Sequence, residues 1–179
     1  MADIPLKIPV GISSCLLGEA VRYDGGHKYD PLITTQLAEL FEFRPFCPEM
    51  AIGLGVPREP IQLVRTDRGI RVRGIRHPEV DVTRHLQQAG NNCAREFADL
   101  CGYIFKARSP SCGLEGVPTW TEQGEQSGLD GSGAFAAALL SARPGLAVTD
   151  EARLQNPDLR VQFIEAVFSR YRSQHPECD

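Results

Sequence analysis

Polar and apolar positions along this chain alternate between short strand-like runs and stretches with helical spacing. Residues 6–13 (LKIPVGIS) read as a buried strand that runs into Ser14-Cys15-Leu16-Leu17-Gly18. Residues 19–30 (EAVRYDGGHKYD) are rich in turn formers. Residues 31–41 (PLITTQLAELF) predict a short helix with Pro31 in its first turn. Residues 42–47 (EFRPFC) predict a second strand, in which Pro45 restricts ladder bonding. Two runs, 61–65 (IQLVR) and 70–73 (IRVR), flank Thr66-Asp67-Arg68-Gly69 and predict a hairpin with one wet, arginine-bearing face.

Residues 79–101 carry the clearest helical stripe: Val82, Leu86, Ala89, Cys93, Phe97 and Leu100 or Cys101 recur at spacings of three and four. Gly90-Asn91-Asn92 weakens its middle. A strand at 102–107 (GYIFKA) follows. Residues 113–131 are polar and glycine-rich, and read as a long functional or mobile loop. A helix at 132–142 has Ser132 as its expected N-cap, and Leu146-Ala147-Val148 is a short strand. Asn156-Pro157-Asp158 opens the last helix, about 156–174, with a capping side chain, a preset proline and an acid at the positive dipole end. Its stripe is Leu159, Phe163, Val167 and Tyr171.

Apolar strands alternating with amphipathic helices define an α/β fold: a mainly parallel open sheet flanked by helices, Rossmann-like, with an appended β-hairpin. No internal repeat or low-complexity tract interrupts it. The 179 residues and 42% hydrophobic content suit one domain over 1–179.

Charge narrows the partners. The net charge is −4, and the densest basic stretch, Arg65 to Arg76, is broken by Asp67. A large nucleic acid is not expected as a partner, although a single nucleotide needs no basic face. The N-terminal MADIPLKIPV lacks a signal-peptide core, and no apolar run reaches membrane-spanning length, so a cytoplasmic protein is expected. The oligomeric state is not legible.

In a reducing compartment the six cysteines read as thiols, and no CxxC pair occurs. Cys93 and Cys101 fall in the helical stripe and are expected in the core; Cys178 sits in a polar tail. Cys15, Cys47 and Cys112 differ. Each lies at or just past the C-terminal end of a predicted strand, and in an open parallel sheet those ends share the ligand-binding edge. Pro45, Pro48 and Pro110 stiffen their surroundings. Three converging thiolates suit zinc or an iron–sulfur cluster with one iron lacking a protein ligand. Such an iron is a Lewis acid for a soft atom such as sulfur.

Four segments in order, SSCLLG (13–18), VRYDGGHK (21–28), CPEMAIGLGVPREP (47–60) and KARSPSCG (106–113), resemble the motifs of the thiouracil desulfidase family, over residues 8 to about 148. The resemblance implies an α/β fold and a [4Fe–4S] cluster-binding domain over about 6–148, with Cys15, Cys47 and Cys112 as ligands. It implies non-redox removal of sulfur, C=S to C=O, from thiolated uracil or its nucleoside or nucleotide, with Glu49 and Ser109 as the catalytic pair. Glu49 suits a general base; Ser109 suits a hydroxyl that orients substrate or relays a proton. Asp24, Gly25, Gly26, Arg58 and Lys106 are candidate substrate contacts, Arg58 and Lys106 toward a phosphate.

Each role has a plainer rival: a first-turn acid for Glu49, a local turn bond for Ser109, a simple turn for Asp24-Gly25-Gly26, and surface salt bridges for Arg58 and Lys106. Ser111 reads as structural, His27 as a solvated loop residue, and Trp120 as either a base-stacking ring or a loop anchor. The rival functions are a non-catalytic iron–sulfur or zinc sensor module and a persulfide-carrying thiol enzyme.

Overall fold

The structure, a computed structural model, describes residues 7–176. Cys178, and residue 6 of the expected first strand, lie outside the described residues. The order is β1 (Ile8–Ser13), a 3-10 turn (Ser14–Leu17), α1 (Pro31–Thr35), β2 (Phe41–Phe46), α2 (Pro48–Ala51), β3 (Ile61–Thr66), β4 (Gly69–Gly74), α3 (Thr83–Glu96), β5 (Gly102–Phe105), β6 (Val117–Thr121), β7 (Gln126–Gly131), α4 (Ala134–Ala142), β8 (Ala147–Asp150), α5 (Glu151–Leu154) and α6 (Pro157–Gln174).

Four strands form an all-parallel sheet in the order β2-β1-β5-β8. From β1 the chain winds first to one side, to β2, and then to the other, to β5 and β8. The crevice between β1 and β5 is therefore the topological switch point, where ligands of such sheets bind. Pro45 is tolerated because β2 is an edge strand.

Helices cover both faces. On one, Val10, Ile12 and Ile104 pack with Cys101, Ile33 of α1, and Phe163, Val167 and Tyr171 of α6. On the other, Tyr103 and Phe105 pack with Leu86, Ala89 and Cys93 of α3, and Phe135 and Leu139 of α4. Cys93 and Cys101 are core residues as expected, but only Cys93 lies on α3; Cys101 falls past its end, just before β5, and packs on the opposite face of the sheet. Tyr103 stacks on Phe105 with ring centroids 4.3 Å apart. The ring needs Gly11 opposite it on β1, because a Cβ there would lie 2.3 Å from the ring. Asn156 caps α6 as expected, accepting from the N–H groups of Asp158 and Leu159.

Four expectations need correction. The segment 113–131 is no free loop: β6 and β7 lie in it, and with the 61–74 hairpin they build a second sheet, β4-β3-β6-β7. The appended hairpin is therefore half of a mixed sheet. Its β7 is mostly wet, so no apolar alternation marks it. The helix expected at 79–101 spans only Thr83–Glu96, started by Asp81, whose carboxylate accepts from the Thr83 N–H. It runs unbroken through Gly90, where a Cβ would come within 2.6 Å of the Phe135 carbonyl and 2.8 Å of the Ala138 Cβ. Gly90 thus permits the close crossing of α3 and α4. Ser132 does not cap α4; Gly133 occupies that position, and the Ser132 hydroxyl donates to the Leu114 carbonyl. No helix among the described residues is long and apolar enough to cross a membrane.

Candidate active site

Cys15 follows β1, Cys47 follows β2 and Cys112 lies beyond β5, so three adjacent parallel strands deliver them to one edge. All three line a single cavity of about 290 Å³, together with Glu49, Arg58, Lys106 and Ser109. Its size is near the low end for small-molecule sites, about 300–1,000 Å³. Ser13, Arg22, Tyr23, Lys28, Phe46 and Arg108 complete much of its wall.

Backbone bonds fix each segment. The Cys15 carbonyl accepts from the N–H groups of Gly18 and Lys28, which folds the VRYDGGHK loop back over the 3-10 turn. Arg58 ties that loop to the next segment: its N–H donates to the Tyr23 carbonyl at 2.9 Å, and its guanidinium to the Val21 carbonyl at 2.7 Å. The ARSPSCG segment is held by α4, whose first N–H groups donate to the carbonyls of Pro110 and Ser111. The two backbones approach so closely that a Cβ on Gly133 would lie 2.3 Å from the Ser111 carbonyl oxygen. Within the segment, Arg108 holds the left-handed φ of 59°, a strained conformation that requires surrounding support.

Glu49 sits in the first turn of α2, on the cavity wall. Its Oε2 accepts from Arg58 Nε at 2.7 Å and its Oε1 from the Ser111 hydroxyl at 2.5 Å. The Arg58 and Glu49 side chains are only 6% and 14% exposed, so this ion pair is largely desolvated. Ser109 accepts from the N–H groups of Ser111 and Cys112 at 3.2 and 3.1 Å. That is the local turn bond, and among the described residues the hydroxyl proton of this cavity-lining residue meets no acceptor.

The other expected contacts are placed less directly. Arg58 also donates to the Gly55 carbonyl, and Lys106 donates to Glu151 and the Ala107 carbonyl. Both cations line the cavity, but both are internally paired. Asp24, Gly25 and Gly26 do not line it; Asp24 accepts from the Gly26 N–H in an exposed turn. Trp120 lies on β6, beside Val64 of β3. Sequence reading missed three cations on the wall, Arg22, Lys28 and Arg108. None makes an ion pair or side-chain hydrogen bond among the described residues; Arg22 lies over the Tyr23 ring, 5.7 Å from its centroid. Sequence reading also missed Ser111 as a partner of Glu49.

Burial pushes all three thiols up: Cys15 to about 11, against the pull of Arg22 and Lys106; Cys47 upward, against the nearby backbone N–H groups of Met50 and Glu49 and the charge of Arg58; and Cys112 well above its ordinary value, against the Ser13 hydroxyl. The opposing groups are donors that favour anionic sulfur, and Cys47 and Cys15 are both electrostatic neighbours of Cys112. Bare thiols held protonated are poor nucleophiles; a coordinating metal removes the proton. Among the described residues, no three His, Cys, Asp or Glu side chains form a group able to hold one metal ion. A cubane cluster makes a different demand, because each cysteine takes its own iron and the sulfurs stand apart. Three cysteines around one cavity, delivered by three adjacent strand ends, fit such a group.

The fold and site define an α/β protein with a cysteine-lined cavity at the switch-point edge of its parallel sheet. Comparison with known proteins gives the family. The family model for 2-thiouracil desulfurase matches residues 10–151, and this chain belongs to that family. The uncharacterised protein YbbK of Bacillus subtilis (strain 168) is 30% identical over 137 residues, which cover 73% of this chain and 89% of YbbK. Among solved structures, the [4Fe–4S]-dependent thiouracil desulfidase TudS superposes with a TM-score of 0.63 at 29% identity, covering 87% of this chain and 97% of TudS.

Proposed function

We propose that this protein hydrolyses the C=S bond of a thiolated uracil to C=O, releasing sulfide, with a [4Fe–4S] cluster held by Cys15, Cys47 and Cys112. The carrying observation is that these three cysteines line the same cavity as Glu49 and Ser109 in a chain of the 2-thiouracil desulfurase family. When bound, the cluster supplies an iron without a protein ligand, a soft Lewis acid for the thiocarbonyl sulfur. Glu49 takes a proton from the attacking water. Ser109 uses its uncommitted proton to orient the uracil ring or to pass a proton onward. The balance is one water consumed and one hydrogen sulfide released, with no change in oxidation state.

Arg22, Lys28 and Arg108 carry the substrate's charge. All three line the cavity, and among the described residues none makes an ion pair, which suits the phosphate of a thiouracil nucleotide. Arg58 and Lys106 act one layer back, pairing with Glu49 and Glu151.

The test is anaerobic reconstitution, iron analysis, and sulfide release from thiouracil, thiouridine and thio-UMP on one sample. Sulfide and oxo product should form in equal amounts without a reductant, fastest from the nucleotide. Protein that holds about four irons yet releases sulfide from none of them overturns the proposal.

A further inference from the structure

We infer that Ser111 is a positioning residue that aims the Glu49 carboxylate at the attacking water, with Arg58 as its counterpart on the other oxygen; this rests on the desulfidase reading above. Ser111 is fully buried, and every polar group it owns is assigned. Its N–H donates to Ser109 Oγ at 3.2 Å. Its carbonyl accepts from the Phe135 and Ala136 N–H groups at the start of α4, at 3.1 and 3.2 Å. Its hydroxyl donates to Glu49 Oε1 at 2.5 Å, across 62 residues of sequence. With its backbone clamped on both sides, the hydroxyl can serve only an acceptor that comes to it.

Arg58 closes the other side. It donates to Glu49 Oε2 at 2.7 Å and to the Gly55 and Val21 carbonyls. A carboxylate gripped at both oxygens by charge-assisted bonds cannot swing about its terminal torsion. Each oxygen keeps a lone pair for a water in the cavity. Ser111 also adjoins Cys112, so one segment fixes the carboxylate relative to the sulfur that would carry the iron. A base displaced by about 1 Å costs on the order of 100-fold in rate, so the grip acts on kcat rather than on substrate binding.

Two double-mutant cycles test this. In the first, S111A, E49Q and the double variant are compared as reconstituted enzyme. S111A should lower kcat by roughly 10- to 100-fold with KM within about threefold, and S111T should recover part of the loss. The double variant should be no slower than E49Q, because Ser111 acts through Glu49. The second cycle measures denaturation midpoints of the cluster-free variants, where the single losses should not add. S111A with wild-type kcat, S111A that no longer takes up iron, or losses that add in either cycle overturn the inference. If the wild-type enzyme releases no sulfide, the desulfidase reading fails instead, and the stability cycle alone decides whether Ser111 grips Glu49.

Discussion

Arg22→Gln separates recognition of the substrate's charge from the chemistry. Arg22 is half-buried on the cavity wall, makes no ion pair among the described residues, and bears electrostatically on Asp24 and Cys15. A hydrogen bond from a charged donor to an anion contributes about 1.5–3 kcal/mol. At about 1.4 kcal/mol per tenfold, its loss should lower kcat/KM for thio-UMP by roughly 10- to 150-fold. Lys28 and Arg108 are more exposed, and their single substitutions should cost less, on the order of 1 kcal/mol or under, with strong dependence on salt. Thiouridine lacks the phosphate, so R22Q should change its kcat/KM by less than about threefold. Steady-state kinetics on both substrates, with cluster absorbance checked on each preparation, gives the ratio. An equal fall for nucleotide and nucleoside would place Arg22 at the reacting centre or at the cluster and refute the phosphate assignment. Equal wild-type kcat/KM for the two substrates would refute it more directly.

Three further outcomes follow from the same geometry. After reconstitution, Cys15→Ala, Cys47→Ala and Cys112→Ala should each lose the visible cluster absorbance while Cys101→Ala retains it; a persulfide carrier would depend on only one cysteine. Gly90→Ala should destabilise the fold despite alanine's helix preference of about 1 kcal/mol, because overpacking against Phe135 and Ala138 costs about 1–3 kcal/mol; urea unfolding that shows a more stable variant would disprove the close crossing. Asp81 is partly buried, which raises its pKa, but bonds from Arg71 and Thr83 outweigh this and hold it down at about 2. A depressed carboxylate stabilises the fold above its unfolded value of about 3.9 and loses that contribution as pH falls toward 2. Asp81→Asn should therefore cost about 1–2 kcal/mol at neutral pH and progressively less in acid, read from denaturation midpoints across pH.

The parallel sheet was legible because its strands are apolar and its helices amphipathic, and the strand ends then brought Cys15, Cys47 and Cys112 to one edge. The β6–β7 half of the second sheet was not, because β7 is mostly wet and polar contacts join it to β6. Thr119 is fully buried, yet its hydroxyl bonds to Asp130. Gly131 lies where a Cβ would meet Leu63 at 2.4 Å. Glycine and polar residues that read as a free loop are here the signs of close approach. Ser132 misled for a related reason: the N–H groups it was expected to cap are taken by carbonyls of the 110–113 segment, a partner no local pattern reveals.

The two serines of ARSPSCG carry the same point into the site. By sequence, Ser109 is the chemical residue and Ser111 its structural neighbour, since only Ser109 sits where the family motif has its hydroxyl. In the fold the local bonds run the other way. Ser109 accepts from two N–H groups of its own turn, and Ser111 reaches across the sheet edge to Glu49. A bond that spans 62 residues leaves no trace in spacing or periodicity. It depends on Pro48 starting α2 just after Cys47 and on α4 anchoring the Ser111 carbonyl. The division follows from hydroxyl chemistry: one proton per serine, so the serine that gives its proton to Glu49 has none for the substrate, and the one whose oxygen serves the turn keeps its proton for the cavity.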